Sequence, residues 1–252
     1  MKWKKGAALL LGAMLTVGLI AGCGNSADNG GKTDGKKVIT FAAETTYPPF
    51  EYAEGDKYKG FDVDLSNALA KEMGAEAKFV SMGFDALIPA LQGKQIDAIA
   101  SGLVITKERE EKIAFTDPYY EVSLTMVVRK DENNIKSEAD IAGKTVAAQI
   151  GTTGAMLAKE KPGTTVKEFD AIPNVLQDLQ NGNVQIVMLD EPVARYYIQK
   201  MNMDNLKVVD IGLQHHKVAI GLRKDDKQLL ADMNKALAKL KENGEYDKLT
   251  KK

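Results

Sequence analysis

From Val38 onward the chain alternates short runs rich in β-branched residues with segments whose apolar positions recur every three or four residues. VITFAA (38–43) predicts a strand. FDVDLSNALAKEM (61–73) predicts a helix, because Leu65, Ala68, Leu69 and Met73 fall at i, i+3, i+4 and i+8. AKFVSM, FDALIPALQG and QIDAIASG continue the pattern as strand, helix and strand. A second series follows the apolar run SLTMVVRK. It reads GKTVAAQ (strand), TTGAMLAKE (helix), TVKEF (strand), IPNVLQDLQ (helix), VQIVML (strand) and EPVARYYIQK (helix). HHKVAIGLRK predicts one more strand, and a final helix carries Leu230, Met233, Leu237 and Leu240 at helical spacing. Alternation of this kind predicts an α/β protein with mainly parallel, doubly wound sheets flanked by helices. The stretches FDALIPALQGKQIDAIASG and AIPNVLQDLQNGNVQIVMLD share one plan of helix, Gly turn, polar step and buried strand, so two lobes of similar design are expected.

The residues ahead of this pattern have another character. MKWKK is a short cationic stretch, and the apolar GAALLLGAMLTVGLIAG after it ends in small residues. Residues 1–22 are therefore expected to be a signal peptide. Ile20-Ala21-Gly22-Cys23 looks like a bacterial lipobox, which predicts lipid attachment at Cys23, the single cysteine of the chain. Residues 24–37 are small and polar and read as a flexible tether. No later stretch approaches the roughly 20 apolar residues of a membrane span. The expected location is the outer face of the cytoplasmic membrane, with the protein exported and lipid-anchored there.

Charge and motifs narrow the function classes. With 34 basic and 35 acidic residues in no obvious cluster, the surface does not suit nucleic acid. No phosphate-binding loop, dinucleotide fingerprint, H-E-x-x-H, S-x-x-K or G-x-S-x-G occurs. Asp62-x-Asp64-x-Ser66 opens like a calcium loop but has Asn67 where glycine is required and Met73 where glutamate is required. His215 and His216 are adjacent in a predicted strand, so they point to opposite faces and cannot share a metal. No catalytic residue, metal or cofactor is expected. In SGLVITKER (101–109) an apolar run gives way to Thr-Lys-Glu-Arg, which reads as a strand running into a short helix capped by Thr106. Alone, Arg109 there would be an ordinary solvated charge. It gains interest from company, because Glu44, Gln149 and Asp190 also fall at or just past predicted strand ends, where open α/β sheets bind ligands.

TTYPPFEY (45–52), GFDVDL (60–65), FDALIPALQGKQIDAIASGLVITKER (84–109), FTDPYY (115–120), GKTVAAQIGTTG (143–154) and KLKENGEYDKL (239–249) occur in this order. Together they resemble the bacterial extracellular solute-binding proteins of family 3, which are amino-acid-binding components of ABC transporters. The resemblance implies a two-lobed periplasmic-binding-protein fold of type II that closes on its ligand. Lobe 1 would be residues 38–121 plus 217–252, and lobe 2 residues 122–216, with hinge strands near Tyr119–Ser123 and Gln214–Val218.

The resemblance also implies a pocket. Arg109 would grip the ligand α-carboxylate, helped by backbone N–H groups at Thr152 and Thr153. Asp190 would take the α-ammonium with the Gly102 carbonyl, and Ser101 would line the same floor. Tyr47 and Phe84 would sandwich the side chain. Val104 departs from the family, which usually has a hydroxyl residue there. Glu44 would face the ligand side chain, and Gln149 stands where glutamine-binding relatives carry a lysine. An acid, two aromatic faces and no opposing cation favour arginine first, then glutamine, lysine or histidine. The expected partners are the amino acid and a membrane permease, with the protein a monomer. The alternative is an enzyme like cyclohexadienyl dehydratase, similar in fold, in which Glu44 or Asp190 would serve as an acid.

Overall fold

The computed structural model describes residues 36–209 and 215–251. Strand β1 (Val38–Ala43) leads into a small hairpin sheet of β2 (Thr46–Tyr47), β3 (Glu51–Glu54) and β4 (Lys57–Lys59), then α1 (Phe61–Glu72) and β5 (Glu76–Ser81). A 3-10 turn at Phe84–Ala86 runs into α2 (Leu87–Gln92), followed by β6 (Ala98–Ile99), the single-turn α3 (Lys107–Glu110), β7 (Ala114–Phe115) and the long β8 (Tyr120–Arg129). The second series comprises β9 (Thr145–Gln149), α4 (Thr153–Glu160), β10 (Thr165–Phe169), α5 (Ile172–Gln180), β11 (Ile186–Asp190), α6 (Glu191–Lys200) and β12 (Leu206–Val209). Then come β13 (His215–Val218), β14 (Gly221–Leu222), α7 (Lys227–Glu242) and α8 (Glu245–Leu249).

Two sheets organise the chain into two lobes. The first runs β5-β1-β6-β14-β7 and the second β10-β9-β11-β8-β12. In each, the first three strands are parallel and helix-linked, and the next strand is antiparallel. The expected parallel strands form the core of each sheet, and antiparallel strands added at one side make both sheets mixed. The reason is connectivity, because a parallel neighbour requires a helical crossover. β8 and β14 instead enter their sheets straight from the crossing between lobes. There β13 pairs antiparallel with the start of β8, His215 opposite Ser123 and Val218 opposite Tyr120. Gln214 of the expected hinge and Cys23 with the leader and most of the tether lie outside the described residues.

Other differences have equally local causes. HHKVAIGLRK is broken at Ala219–Ile220, since β13 serves the crossing and β14 the first sheet. QIDAIASG keeps only Ala98–Ile99 as strand, because Gly102 turns the chain with a φ of 50°. Leu103–Ile105 is not a strand and makes only the single bridge Val104–Val218. The helices behave as their patterns require. α1 buries Val63, Leu65 and Leu69, and α7 buries Leu229, Met233, Ala236, Leu237 and Leu240. β11 is buried along its whole length, as a central strand covered on both faces must be. Among the described residues, no helix is long and apolar enough to cross a membrane.

Candidate functional site

The carboxyl ends of β1, β9 and β11 converge on one cleft. Gln149 and Asp190 are the last residues of β9 and β11, and Glu44 follows β1 directly. Arg109 arrives from α3, well beyond the end of β6. All eleven expected residues line this cleft: Glu44, Tyr47, Phe84, Ser101, Gly102, Val104, Arg109, Gln149, Thr152, Thr153 and Asp190. The free space left between them is small, about 20 Å³, so the side chains nearly fill the cleft.

Arg109 is held rigidly. Thr106 caps α3 by accepting the Arg109 N–H at 3.2 Å, which orients the side chain inward. Nη1 donates to the Val104 carbonyl at 2.6 Å and Nη2 to the Gly151 carbonyl at 3.0 Å. The guanidinium lies 5.2 Å from the centroid of the Phe84 ring, so Phe84 presents one face to this cation. Burial lowers its pKa to about 10, against the pull of Asp190 and Glu108. It stays charged at neutral pH and retains donors, since a guanidinium has five.

Asp190 is only 4% exposed. Its Oδ2 accepts the Tyr47 hydroxyl at 2.5 Å, while its Oδ1 has no hydrogen-bond partner. Burial raises its pKa to about 6, with Tyr47 and Arg109 acting in the opposite direction. A buried carboxylate oxygen without a donor is costly, and such atoms call for an explanation. Glu44 is also buried, which raises its pKa, while Gln149 and Thr46 oppose the shift. Its Oε2 accepts Gln149 Nε2 and Thr46 Oγ1, each at 2.9 Å, and Gln149 Nε2 also reaches the Asp170 carbonyl at 2.8 Å.

Thr152 caps α4, accepting the Ala155 N–H at 3.4 Å. Its own N–H turns back to the Gln149 carbonyl at 3.3 Å, so the first-turn amides of Thr153 and Gly154 are the ones left outside the helical ladder. Val104 brings a buried isopropyl group where a hydroxyl would add a hydrogen bond. Thr46 joins the two lobes at the cleft edge: its carbonyl accepts the Tyr197 hydroxyl at 2.8 Å, and its Oγ1 accepts the Ile172 N–H at 3.2 Å.

Sequence reasoning missed Glu51, Leu124, Gly154, Ile172, Met188 and Leu189, which also line the cleft. Glu51 had a usable signal, as an acid within the quoted TTYPPFEY run. The others are core-type residues that no pattern separates from ordinary packing. Among the described residues, no three His, Cys, Asp or Glu side chains group as a metal site.

Comparison with known proteins gives this geometry a context. A model of the bacterial extracellular solute-binding proteins, family 3, matches residues 39–252. The arginine-binding extracellular protein ArtP of Bacillus subtilis (strain 168) is 36% identical over 253 residues, covering 99% of this chain and 97% of the relative. An ancestral arginine-binding protein solved with arginine bound is 37% identical with a TM-score of 0.82, covering 85% of this chain and 96% of the other. An ancestral arginine-binding protein solved with glutamine bound is 38% identical with a TM-score of 0.81, over 84% of this chain and 96% of the other. An ancestral amino acid-binding protein, a precursor of cyclohexadienyl dehydratase, is 36% identical with a TM-score of 0.78, over 85% and 94%.

Proposed function

The chain belongs to the bacterial extracellular solute-binding proteins of family 3, and from that premise we propose that it captures an L-amino acid for an ABC importer. The two lobes close on the solute, and a permease in the membrane receives it. The observation that carries this reading is Asp190 Oδ1, a buried carboxylate oxygen without a donor, in the same cleft as a fixed guanidinium. One anion and one cation held in a dry cleft suit a zwitterion, whose ammonium and carboxylate satisfy both at once. Arg109 grips the α-carboxylate with its remaining donors, assisted by the first-turn amides of α4. Asp190 takes the α-ammonium together with the Gly102 carbonyl. The solute side chain then extends past Tyr47 and Phe84 toward Glu44 and Gln149.

For that side chain we favour arginine, then glutamine, lysine or histidine. Glu44 offers a buried carboxylate, and Gln149 adds no positive charge beside it. Relatives that bind arginine, and an arginine-binding protein solved with glutamine, support this order. The protein acts as a binding component and not as an enzyme. It is held by a lipid on Cys23 and works as a monomer, with residues 38–121 and 217–252 forming one lobe and 122–216 the other. A thermal-shift screen of ligand-stripped protein against the twenty amino acids tests the solute class. Stabilisation by arginine or glutamine is expected. Stabilisation by aspartate or leucine, with none by those two, overturns the assignment.

The dehydratase reading keeps one supporting observation, that Asp190 and Glu44 both titrate above ordinary carboxylates. Incubation with prephenate or arogenate is expected to give no turnover. Measurable product would favour the enzyme.

A further inference from the structure

At the cleft floor lie two acids for which solute capture gives no role, Glu51 on its lining and Asp62 behind it. Glu51 of β3 and Asp62 of α1 are 0% and 1% exposed. Glu51 Oε1 accepts the Ser101 hydroxyl at 2.8 Å, and Ser101 Oγ accepts the Glu44 N–H at 2.9 Å. Asp62 Oδ2 accepts the Gly102 N–H at 2.8 Å and the Tyr119 hydroxyl at 2.7 Å. Each carboxyl keeps one buried oxygen, Glu51 Oε2 and Asp62 Oδ1, with no donor. The two carboxyls lie near enough to act on each other, by charge and as potential hydrogen-bond partners. The titratable groups facing the pair are Glu44 after β1, Tyr47 in β2, Tyr119 before β8 and Tyr246 in α8, and among the described residues none of the main influences on either acid is a cation.

Two carboxylates that act on each other out of water, with no cation among their main influences, cannot both remain ionised. One proton removes the repulsion and both orphan oxygens together. Placed on Glu51 Oε2 it donates to Asp62 Oδ1, after which all four oxygens are engaged. Asp62 is the member that keeps the charge, since two donors converge on its Oδ2 while Glu51 receives one. We propose that Glu51 and Asp62 form a single proton-binding site, occupied at neutral pH by a proton on Glu51, that ties the cleft floor to the crossing strands. The tie runs through Asp62, which joins Gly102 in the floor to Tyr119, and the Tyr119 N–H bonds the Val218 carbonyl at the end of β13. This holds whichever solute is carried.

The sign of the pH effect follows from the direction of the shift. Burial and the neighbouring Asp62 raise Glu51 well above an ordinary glutamate. Its contribution to stability is complete below the unfolded value and is lost as pH rises through the folded one. One linked proton changes the unfolding constant by up to tenfold per pH unit.

The test uses the full chain with carboxyl-13C glutamate, titrated by NMR over roughly pH 5 to 9. One buried glutamate should carry the shift of a neutral acid at pH 7. Its signal should persist in Glu44→Gln and vanish in Glu51→Gln. Urea unfolding of wild type and Glu51→Gln over the same range reads the linkage. Glutamine mimics the protonated acid, donating to Asp62 and accepting from Ser101, so it should fold where Glu51→Ala is weakened. The wild-type unfolding constant should climb relative to that of Glu51→Gln by up to tenfold per pH unit above the unfolded pKa. A purely structural Glu51 would leave the two curves parallel, and that result overturns the proposal. Only ionised glutamate signals at pH 7 in the wild type would overturn it as well, even if Glu51→Gln failed to fold.

Discussion

Substituting Glu44 by glutamine should discriminate between solutes. The replacement keeps size and hydrogen-bonding capacity while removing one charge. In the structure Oε2 accepts from Gln149 and the Thr46 hydroxyl, and the Thr46 backbone N–H also bears on the carboxylate, so a solute cation would join an existing set of donors. A guanidinium about 4 Å from a carboxylate gains roughly 4 kcal/mol at an effective dielectric of about 20. Part of that is offset by desolvating both groups, so about 2–3 kcal/mol is the expected loss when the charge disappears. At 1.4 kcal/mol per decade this weakens arginine roughly 30- to 150-fold. A neutral glutamine amide exchanges one acceptor for another and should change by about 1 kcal/mol or less. Isothermal calorimetry with both amino acids on wild type and Glu44→Gln measures the difference. Equal fold-losses for the two solutes, or arginine binding within about threefold of wild type, would refute a role for Glu44 as the guanidinium partner.

Arg109→Ala and Asp190→Ala should each cost about 2–5 kcal/mol of affinity, because each strands a charge of the solute in the closed cleft; calorimetry within threefold of wild type would contradict the pocket. Asp190 titrates at about 6, so solute affinity should fall as pH drops below that value, by up to about tenfold per pH unit. Stability of the solute-free protein should move the other way, since a raised carboxyl pKa contributes stability that is lost as pH rises from the unfolded value through about 6; a Tm that instead rises across that window would break the argument. Gly102→Ala should cost about 1–3 kcal/mol of stability, because its Cβ would sit 2.9 Å from Tyr47 Cε1 at a φ of 50°, and an unchanged urea midpoint would show that the floor can relax.

Legibility varied with how local the determining physics was. β1, β10, α5 and α6 match their predicted spans because each is bounded by its own pattern and needs no partner to be recognised. The direction of β8 and β14 was not readable, because it depends on how the chain crosses between lobes and not on side-chain period. The cleft residues became legible through a resemblance, while spacing alone left Arg109 an ordinary charge. Glu51 and Asp62 show the limit most clearly. They lie in a short hairpin and at the start of a helix, where acids are usually solvated, and only the fold brings them face to face out of water.

Thr46 has a further consequence. The Tyr197 hydroxyl and the Ile172 N–H reach it across the cleft edge without involving any solute atom. Bonds of this kind favour the closed arrangement whether or not anything is inside. Strengthening them would tighten apparent affinity, because less of the binding energy goes into closure. It would also make the empty protein resemble the loaded one, and a permease that recognises the closed shape would receive more false arrivals. Weakening them would sharpen that contrast at the expense of capture from dilute supply. Tyr197→Phe therefore adjusts how faithfully the protein reports its cargo along with how tightly it holds it.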